Sequence, residues 1–357
     1  MVFTNRSLTR ALFGTFLLVG ICASHLASAM DDRNLPIFYS ENHNIEPSKA
    51  LECYTGGKIL SWLGIGKIIS YFGNKLHSFN GHKYSDAIKI LYQKGIVKAY
   101  GKMWGDYKVQ KPDGEVSQEH LERVHTKEYL NSLKNDGKIL GNILEIGDLT
   151  PYIAQDVIDH VILRPMRYQV RSTEMAVEYA AKNKCNVAVL GGGFHHAGGN
   201  ESYCVGDWQY KKNEGEGFCV YNDAAVAIED QWVRDAKAGL AKTKFMIVDT
   251  DAHMGNGNAH YFGEKGLAYT PSNKGIFTKK PVAIFDMYGT ERRGSNFGGS
   301  RWFTQYPLST DPKAVDYIAY PNPLKNREHQ ENGAKYLAIL QNNLHNAIDE
   351  YNPNMLI

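Results

Sequence analysis

The sequence predicts a single α/β domain with a mainly parallel sheet and helices on both faces. Short apolar runs such as 245–248 and 282–285 are rich in β-branched and aromatic residues and contain no charge, which is typical of buried strands. Longer segments with helical spacing, such as 166–182, separate these runs. Because strands that alternate with helices form parallel sheets covered on both sides, the order of the elements indicates this fold class. A chain of 357 residues is long enough to bury one large core.

The elements follow one another without an internal repeat or a low-complexity tract. The predicted strands are 36–39, 186–190, 245–248, 282–285 and one that begins at Asn354. The predicted helices are 85–96, one that opens at Ser117, 166–182, 224–238 and 332–351. Each helical segment repeats apolar residues three and four positions apart, so each is expected to bury one face against the sheet.

The first 29 residues differ from the rest of the chain. Arg6 and Arg10 precede a short apolar run, and small residues follow at 27–29. A basic start, a short apolar middle and a small-residue end are typical of a secretory signal peptide. We therefore expect 1–29 to be cleaved, 30–357 to form the mature domain, and the protein to be secreted or periplasmic. A membrane anchor is the alternative, but the apolar run is short for a membrane span.

Charge and amphipathicity limit the partners that the chain is expected to have. Forty basic residues nearly balance 38 acidic ones, and the net charge is +2. This balance, with no basic stripe, does not indicate a nucleic-acid-binding protein. The segment 55–72 repeats apolar residues at helical spacing beside Lys58 and Lys67. It predicts an amphipathic helix that either packs on the core or contacts a membrane surface or a partner. The sequence does not predict an oligomeric state.

A charged loop follows the strand 245–248 directly. In parallel α/β sheets, functional sites form where strands end. Asp251 and His253 are two residues apart, so both can point the same way from an extended segment. One carboxylate oxygen and one imidazole nitrogen are suitable ligands for Zn2+. Asp249 lies on the same face and could support these ligands from behind.

A second loop follows the strand 186–190 in the same manner. Three glycines at 191–193 permit a tight exit, and His195 and His196 come next. Imidazole titrates close to neutral pH, so a histidine here could act as the base for a metal-activated water. Alone, either loop could be ordinary, because chance Asp-x-Asp-x-His loops and surface His-His pairs are both common. Both follow predicted parallel strands, which favours a shared site.

These two loops, 191–196 and 249–257, and the segment 217–223 between them resemble motifs of the histone deacetylase superfamily, which has the arginase/deacetylase fold. The segments 125–130 and 163–167 are weaker echoes of the same family. The likeness extends over about residues 35 to 357, and it is greatest to the class IV branch. It implies a zinc-dependent hydrolase that removes acetyl or longer acyl groups from lysine or a related amine, by a metal-activated water and a tandem-histidine base.

The resemblance also assigns roles to single residues. It implies that Gly217, Phe218 and Cys219 line the substrate passage, and that Phe218 either belongs to the core or forms a wall of that passage. His196 is expected to be mainly the general base. His195 is expected to hold charge and help protonate the leaving amine.

Each histidine is expected to have its own partner. By resemblance, Asp249 orients His195 and helps to bind a structural K+ ion, whereas Asn256 orients His196. Many relatives have an Asp at the position of Asn256. An Asn lacks the negative charge that would raise the basicity of the histidine.

Two further features depart from the family pattern. The family has a third metal ligand, an Asp, and a Tyr that binds the reacting carbonyl, in segments that would follow Ile357. We therefore expect the deacetylase-like catalytic domain, 30–357, to be incomplete at its C-terminus, and the chain as written to be weakly active or inactive. An insertion at 198–216 follows the tandem histidines in the chain, and we expect it to influence which substrate is bound.

Two other functions are compatible with these motifs. A non-catalytic acyl-lysine-binding protein would keep the pocket without hydrolysis. An arginase-like binuclear manganese ureohydrolase would need another Asp two residues after His253, where this chain has Gly255. The expected partner is an acyl-lysine protein or an acylated amine. Arg164 and Arg167 are expected to serve the fold rather than the site.

Overall fold

The computed structural model describes residues 36–45, 83–94, 109–145, 155–199, 215–251, 255–264, 280–286, 340–341, 344–349 and 351–357, together with the backbone of four short strands at 3–4, 204–205, 208–209 and 304–305. The predicted helix at 55–72, most of the insertion at 198–216, the ligand His253 and residues 332–339 of the last predicted helix lie outside these described residues.

Eight α-helices lie within the described residues. They are α1 (Lys83–Gln93), α2 (Gln118–Glu122), α3 (Lys127–Asn135), α4 (Gly137–Ile143), α5 (Gln155–Ile158), α6 (Arg164–Asn183), α7 (Asp223–Lys237) and α8 (Asn256–Glu264). A 3-10 turn at Glu41–His43 and a π-helical turn at Asp159–Leu163 are also present, and residues 344–349 form a further helical segment. None of the helices in the described segments is both long and apolar enough to cross a bilayer.

The strands form three sheets. They are β1 (Phe3–Thr4), β2 (Ile37–Phe38), β3 (Val109–Gln110), β4 (Ala188–Val189), β5 (Cys204–Val205), β6 (Trp208–Gln209), β7 (Phe245–Asp249), β8 (Val282–Asp286), β9 (Thr304–Gln305) and β10 (Met355–Leu356). One sheet has the order β1-β10-β7-β8-β9, a second has the order β3-β2-β4, and β5 pairs with β6. All pairings in the first two sheets are parallel except that of β1 with β10, which confirms the predicted α/β fold class.

Within the described residues, the predicted strands are present and the predicted helices are present in whole or in part, with shifts at their ends. The strand predicted to begin at Asn354 is β10, and it pairs in parallel with β7 through Met355 and Phe245. Strand β4 is shorter than the predicted strand 186–190, and it pairs in parallel with Ile37 and Phe38 of β2. Strand β1 lies within the predicted signal peptide and pairs with β10. Cleavage of that peptide stays a prediction.

Helix capping explains where several helices begin. The Ser117 side chain accepts a hydrogen bond from the backbone N–H of His120 at the start of α2. The Asn222 side chain accepts one from Ala225 at the start of α7. These bonds satisfy backbone donors that have no partner within the helix, so each cap fixes the first turn. The cap at Asn222 determines where Asp223 lies, and Asp223 matters for the site.

Helix α6 is the central helix of the core. It buries Met166, Val170 and Val177, and it packs along α7. The apolar residues of β7 and β8 belong to the same buried cluster. At the start of α6, the Arg167 guanidinium donates to Glu115 at 2.6 Å and to Asp159 at 2.7 Å. Arg164 also donates to Glu115, so these two arginines serve the fold, as predicted.

Candidate active site

The loop that carries the tandem histidines is held by a buried carboxylate. Asp223 accepts hydrogen bonds from the backbone N–H of Gly193 at 3.2 Å and of Phe194 at 2.9 Å, and from the Thr173 hydroxyl at 2.8 Å. Gly192 has a φ of +77°, and a Cβ there would lie 2.1 Å from a carboxylate oxygen of Asp223. A glycine is therefore required for the loop to approach this carboxylate so closely.

A neutral histidine supports the same loop from below. The Nδ1 atom of His43 lies 2.7 Å from the carbonyl oxygen of Leu190, and its Nε2 lies 2.9 Å from the Ser172 hydroxyl. A carbonyl can only accept, so Nδ1 carries the proton and Nε2 accepts from Ser172. Burial without a charged partner lowers the pKa of His43 to about 4. His43 is thus a neutral tie between α6 and the end of β4.

A second neutral histidine joins the loops on either side of the site. The backbone N–H of Asn222 donates to Nε2 of His125 at 3.0 Å, and Nδ1 donates to the Gly198 carbonyl at 2.8 Å. Burial lowers the pKa of His125 to about 4. The neighbouring Tyr129 hydroxyl donates to the Val220 carbonyl at 2.7 Å. His125 and Tyr129, in the weakly family-like segment 125–130, therefore hold the neighbouring motif segments in position and do not enter the site.

The first of the tandem histidines has a carboxylate partner. Nδ1 of His195 donates to Oδ2 of Asp249 at 2.6 Å, and only 11% of the His195 side chain and 9% of the Asp249 side chain are exposed. Burial disfavours the charged imidazole, but the Asp249 carboxylate outweighs this effect and raises the pKa of His195 to about 9. This imidazole is a cation at neutral pH.

The second histidine has a neutral amide partner. Nδ1 of His196 lies 2.5 Å from Oδ1 of Asn256, and the Nδ2 of Asn256 donates to Glu216 at 2.8 Å. Burial, together with the positive charge of His195, lowers the pKa of His196 to about 4. The two rings lie close together, with centroids 3.9 Å apart. One histidine of the pair is thus charged and its neighbour is neutral.

The segment 217–219 lies against the second histidine. Gly217 has a φ of +59°, and a Cβ there would lie 2.6 Å from Cδ2 of His196, so a side chain would collide with the ring. Phe218 has a φ of +65° and is half-buried against the core, an uncommon backbone conformation for a bulky residue. Its ring therefore belongs partly to the core, while its backbone is strained beside the site.

Cys219 completes this segment. The side chain is buried and its thiol lies 3.4 Å from the carbonyl oxygen of Gly217. Burial raises the pKa of the thiol, so Cys219 stays protonated at neutral pH. It lines the space beside the histidines and is not a nucleophile.

Asp251 lies at the exposed edge of the same group. Half of its side chain is exposed, and its Oδ1 is 3.8 Å from Nε2 of His195. Its backbone N–H donates to Asp249 at 3.1 Å, which fixes the turn after β7. The second predicted metal ligand, His253, lies outside the described residues, so the Asp251–His253 pair stays a prediction.

Three acidic residues of the site were not among the sequence-predicted site residues. Asp286 ends β8 and lies beside Asp249 in register, and its Oδ2 accepts from the Gly255 N–H at 2.8 Å. Its Oδ1 is buried and has no hydrogen-bond partner in the described part of the chain. Burial and the nearby Asp249 raise the pKa of Asp286. Glu216 and Asp223 are the other two.

The sequence contained a signal for each of these residues. Asp286 follows a buried strand, as Asp249 does, so the same strand-end rule would have selected it. Asp223 ends the family-like segment 217–223, and Glu216 immediately precedes it. Their partners are 29 to 50 residues away in sequence, which pattern alone does not reveal.

His120, Glu174 and Asp230 form another cluster of side chains that bind metals in proteins. One ligand atom from each lies within 4.8 Å of the others. The arginines that pair with these two carboxylates are Arg123, Arg171 and Arg234. Because guanidinium groups already balance the carboxylates, a dication would have to displace them. We interpret this cluster as an ion-pair network that joins α2, α6 and α7.

Comparisons with known proteins identify relatives over most of the chain. A family model described as the histone deacetylase domain matches residues 77–357. Histone deacetylase 2 of Arabidopsis thaliana is 27% identical over 258 residues, which cover 72% of this chain and 54% of that protein. Acetoin utilization protein AcuC of Bacillus subtilis (strain 168) is 29% identical over 148 residues, which cover 40% of this chain and 32% of that protein.

The crystal structure of the HDA15 HD domain superposes with a TM-score of 0.44 at 16% identity, over 75% of this chain and 56% of that one. The chain spans about half the length, or less, of the curated relatives described above. The family model covers well over half of this chain and includes both strand-end loops. The chain therefore belongs to the histone deacetylase family.

Proposed function

We propose that the full-length protein is a zinc-dependent hydrolase that removes acetyl or longer acyl groups from lysine side chains or from a related amine. The observation that carries the proposal is the unequal partnering of two adjacent imidazoles, His195 with a carboxylate and His196 with an amide. Amide hydrolysis needs a base that activates water and an acid that protonates the leaving amine. Family membership supports the substrate class.

The two histidines divide these tasks in our proposal. His196 is neutral at neutral pH and accepts a proton from the attacking water. His195 stays protonated beside Asp249, stabilises developing negative charge and supplies a proton to the departing amine. Because Gly217 lacks a side chain, the segment 217–219 can lie directly against the His196 ring. Phe218 and Cys219 line the passage for the acyl-lysine stem.

Asp251 and His253 would hold the Zn2+ ion. A half-exposed carboxylate can supply the kind of oxygen donor that zinc accepts, and the Asp251 side chain has this exposure. The chemistry that bound Zn2+ supplies is polarisation of the acyl carbonyl and a lower pKa of a water. Asp249 keeps His195 oriented toward this edge through its 2.6 Å hydrogen bond.

Asp249 and Asp286 would help to hold a structural K+ ion. The two carboxylates lie side by side at the ends of β7 and β8, and the buried Oδ1 of Asp286 has no hydrogen-bond partner among the described residues. Adjacent buried carboxylates require a cation or a proton to offset their repulsion. We expect thermal unfolding at a higher temperature in KCl than in tetramethylammonium chloride, and Asp286→Asn should remove that difference. An equal melting temperature in both salts would contradict a K+ site.

Substrate identity and location are also proposals. The likeness to class IV deacetylases supports a test of fatty-acyl lysine beside acetyl-lysine. The predicted signal peptide, 1–29, supports secretion or export to the periplasm, where acylated proteins of another organism or acylated polyamines would be the substrates. N-terminal sequencing of the protein recovered outside the producing cytoplasm should begin near Met30, and an uncleaved Met1 there would contradict export by cleavage.

The decisive experiment measures turnover of acetyl-lysine and fatty-acyl-lysine peptides by the full-length protein. We expect hydrolysis that a chelator abolishes and added Zn2+ restores. Binding of the peptide without turnover would instead favour a non-catalytic acyl-lysine-binding protein. Two manganese ions per chain by elemental analysis would favour an arginase-like ureohydrolase.

A further inference from the structure

Three side chains form a row that leads away from the second histidine. Nδ1 of His196 lies 2.5 Å from Oδ1 of Asn256, and the Asn256 Nδ2 donates to Oε1 of Glu216 at 2.8 Å. Glu216 is half-buried and directly precedes Gly217. Because Gly217 lies against the His196 ring, the backbone brings the Glu216 carboxylate to the far side of Asn256. The proposed function assigns no role to Glu216.

The row fixes which way the Asn256 amide points. A carboxylate only accepts hydrogen bonds, so the amide must turn its NH2 group toward Glu216 and its oxygen toward His196. The backbone N–H of Gly257 also donates to the Asn256 oxygen, at 3.0 Å, which supports the same orientation independently. An oxygen facing Nδ1 of His196 requires that Nδ1 carry the ring proton. Nε2 is then the nitrogen with the lone pair.

We propose that Glu216 is a positioning residue for His196 and acts through Asn256. By anchoring the amide, its carboxylate holds His196 in the Nδ1–H tautomer that leaves Nε2 able to accept a proton. A carboxylate at position 256 would place a negative charge directly beside the His196 ring. In this chain the carboxylate of the row belongs to Glu216, on the far side of the Asn256 amide. This inference rests on the proposed function, in which His196 is the base.

Substitutions at position 216 separate the anchor from the charge. Glu216→Ala removes the acceptor, so the Asn256 amide can turn over and His196 can change tautomer. We expect kcat to fall about tenfold with KM within twofold of wild type. Gln keeps an acceptor oxygen for the Asn256 NH2, so Glu216→Gln should retain kcat within about threefold. Glu122→Ala is the control, because Glu122 is a partly buried glutamate that pairs with Lys127 instead.

A double-mutant cycle tests whether Glu216 acts through Asn256. If it does, Asn256→Ala and the double variant with Glu216→Ala should have equal kcat, because the anchor has nothing left to hold. Effects that multiply in the double variant would overturn the proposal. Wild-type kcat in Glu216→Ala would overturn it too.

Nitrogen NMR of the imidazoles gives a reading that does not depend on turnover. We expect the full-length protein to show His196 as a single Nδ1–H tautomer, and Glu216→Ala to show a mixture with the Nε2–H form. An unchanged single tautomer in Glu216→Ala would overturn the proposal. If acyl-lysine peptides are not hydrolysed at all, the proposed function fails, yet the tautomer change still decides whether Glu216 positions His196.

Discussion

Histidines in two regions of the molecule have opposite surroundings. His43 and His125 lie under the loops, where they form hydrogen bonds with two backbone carbonyls, a hydroxyl and a backbone N–H among the described residues. His195 and His196 lie at the ends of the strands, where Asp249 and other carboxylates are close. The scaffold histidines are neutral ties. In the tandem pair, one carboxylate partner is enough to make the neighbours differ in charge.

Burial alone does not decide what a histidine does in this protein. Burial lowers the pKa of His43, His125 and His196 to about 4 in each case. Of these four histidines, only His195, with Asp249 on its Nδ1, has a raised pKa. The same residue type therefore gives either fixed structure or reactive chemistry, according to whether its partner carries charge.

We expect the largest effects to be a loss of turnover when a tandem histidine is replaced and a loss of stability when a scaffold histidine is replaced. His196→Ala removes the proposed base, so kcat should fall at least about a hundredfold, while the free energy of unfolding changes by less than about 1 kcal/mol. His125→Ala leaves a buried carbonyl and a buried N–H without partners, so it should cost about 3 kcal/mol of stability. Peptide turnover and denaturant unfolding measure the two effects.

The opposite results would contradict the distinction between structural and reactive histidines. A His125→Ala variant as stable as wild type would show that this histidine is not needed for stability. A His196→Ala variant that keeps its kcat would show that His196 is not the base. His125→Ala has to be assayed well below its unfolding midpoint, so that lost folding is not counted as lost turnover.

The scaffold histidines should make the protein sensitive to mild acid. Their folded pKa of about 4 lies below the unfolded value of 6.5, so the folded state binds fewer protons than the unfolded state between these values. The stability is complete above pH 6.5 and is lost as the pH falls toward 4. Each of the two histidines should contribute a loss of about 3 kcal/mol across this window.

A variant isolates one of these contributions. His43→Gln cannot be protonated, so the free energy of unfolding should fall less steeply between pH 6.5 and 5, by up to about 1.4 kcal/mol per pH unit. Denaturant unfolding at each pH measures the slope. An unchanged slope would show that His43 is already charged in the folded state.

Two buried aspartates of the same helix, α7, extend the comparison to carboxylates. Asp223 holds the backbone of the histidine loop, whereas Asp235 accepts from Gln231 and from the Thr243 N–H. Replacing either by Asn turns an acceptor into a donor beside a buried N–H, so both changes should cost about 2 kcal/mol of stability.

The two aspartate variants should differ in turnover. Only Asp223→Asn moves the loop that carries the tandem histidines, so only it should lower kcat, by about tenfold, with equal stability as the control. Equal kcat in Asp223→Asn and Asp235→Asn would show that the loop does not depend on this carboxylate for its position.

The fold was predictable because its signals are local. Strand β7 is an apolar run that ends at its first charge, and α7 begins directly after a capping Asn. The pairs His195–Asp249 and His196–Asn256 were predictable from the family resemblance. Asp223 looked like an ordinary acidic residue in a first helical turn, and Glu216 like a loop residue. Their function depends on which distant residues they contact, and spacing along the chain does not encode those contacts.

The smallest expected effect concerns Ser172, which is fully buried and donates to Nε2 of His43. Ser172→Ala leaves that nitrogen without its donor and should cost about 1 kcal/mol. Ser132→Ala is the matched control, since the Ser132 hydroxyl donates to the Tyr129 carbonyl within its own helix, and its loss should cost less.

Ser172→Ala also separates the effect of losing the hydrogen bond to His43 from the effect of protonating His43. His43 keeps its bond to the Leu190 carbonyl in this variant and stays neutral, so the loss of stability should be the same at pH 7 and at pH 5.5. In His43→Gln, by contrast, the slope with pH changes. If Ser172→Ala also changed the slope, the hydroxyl would be setting the charge of His43, and the scaffold histidines would depend on a polar partner as closely as the tandem pair does.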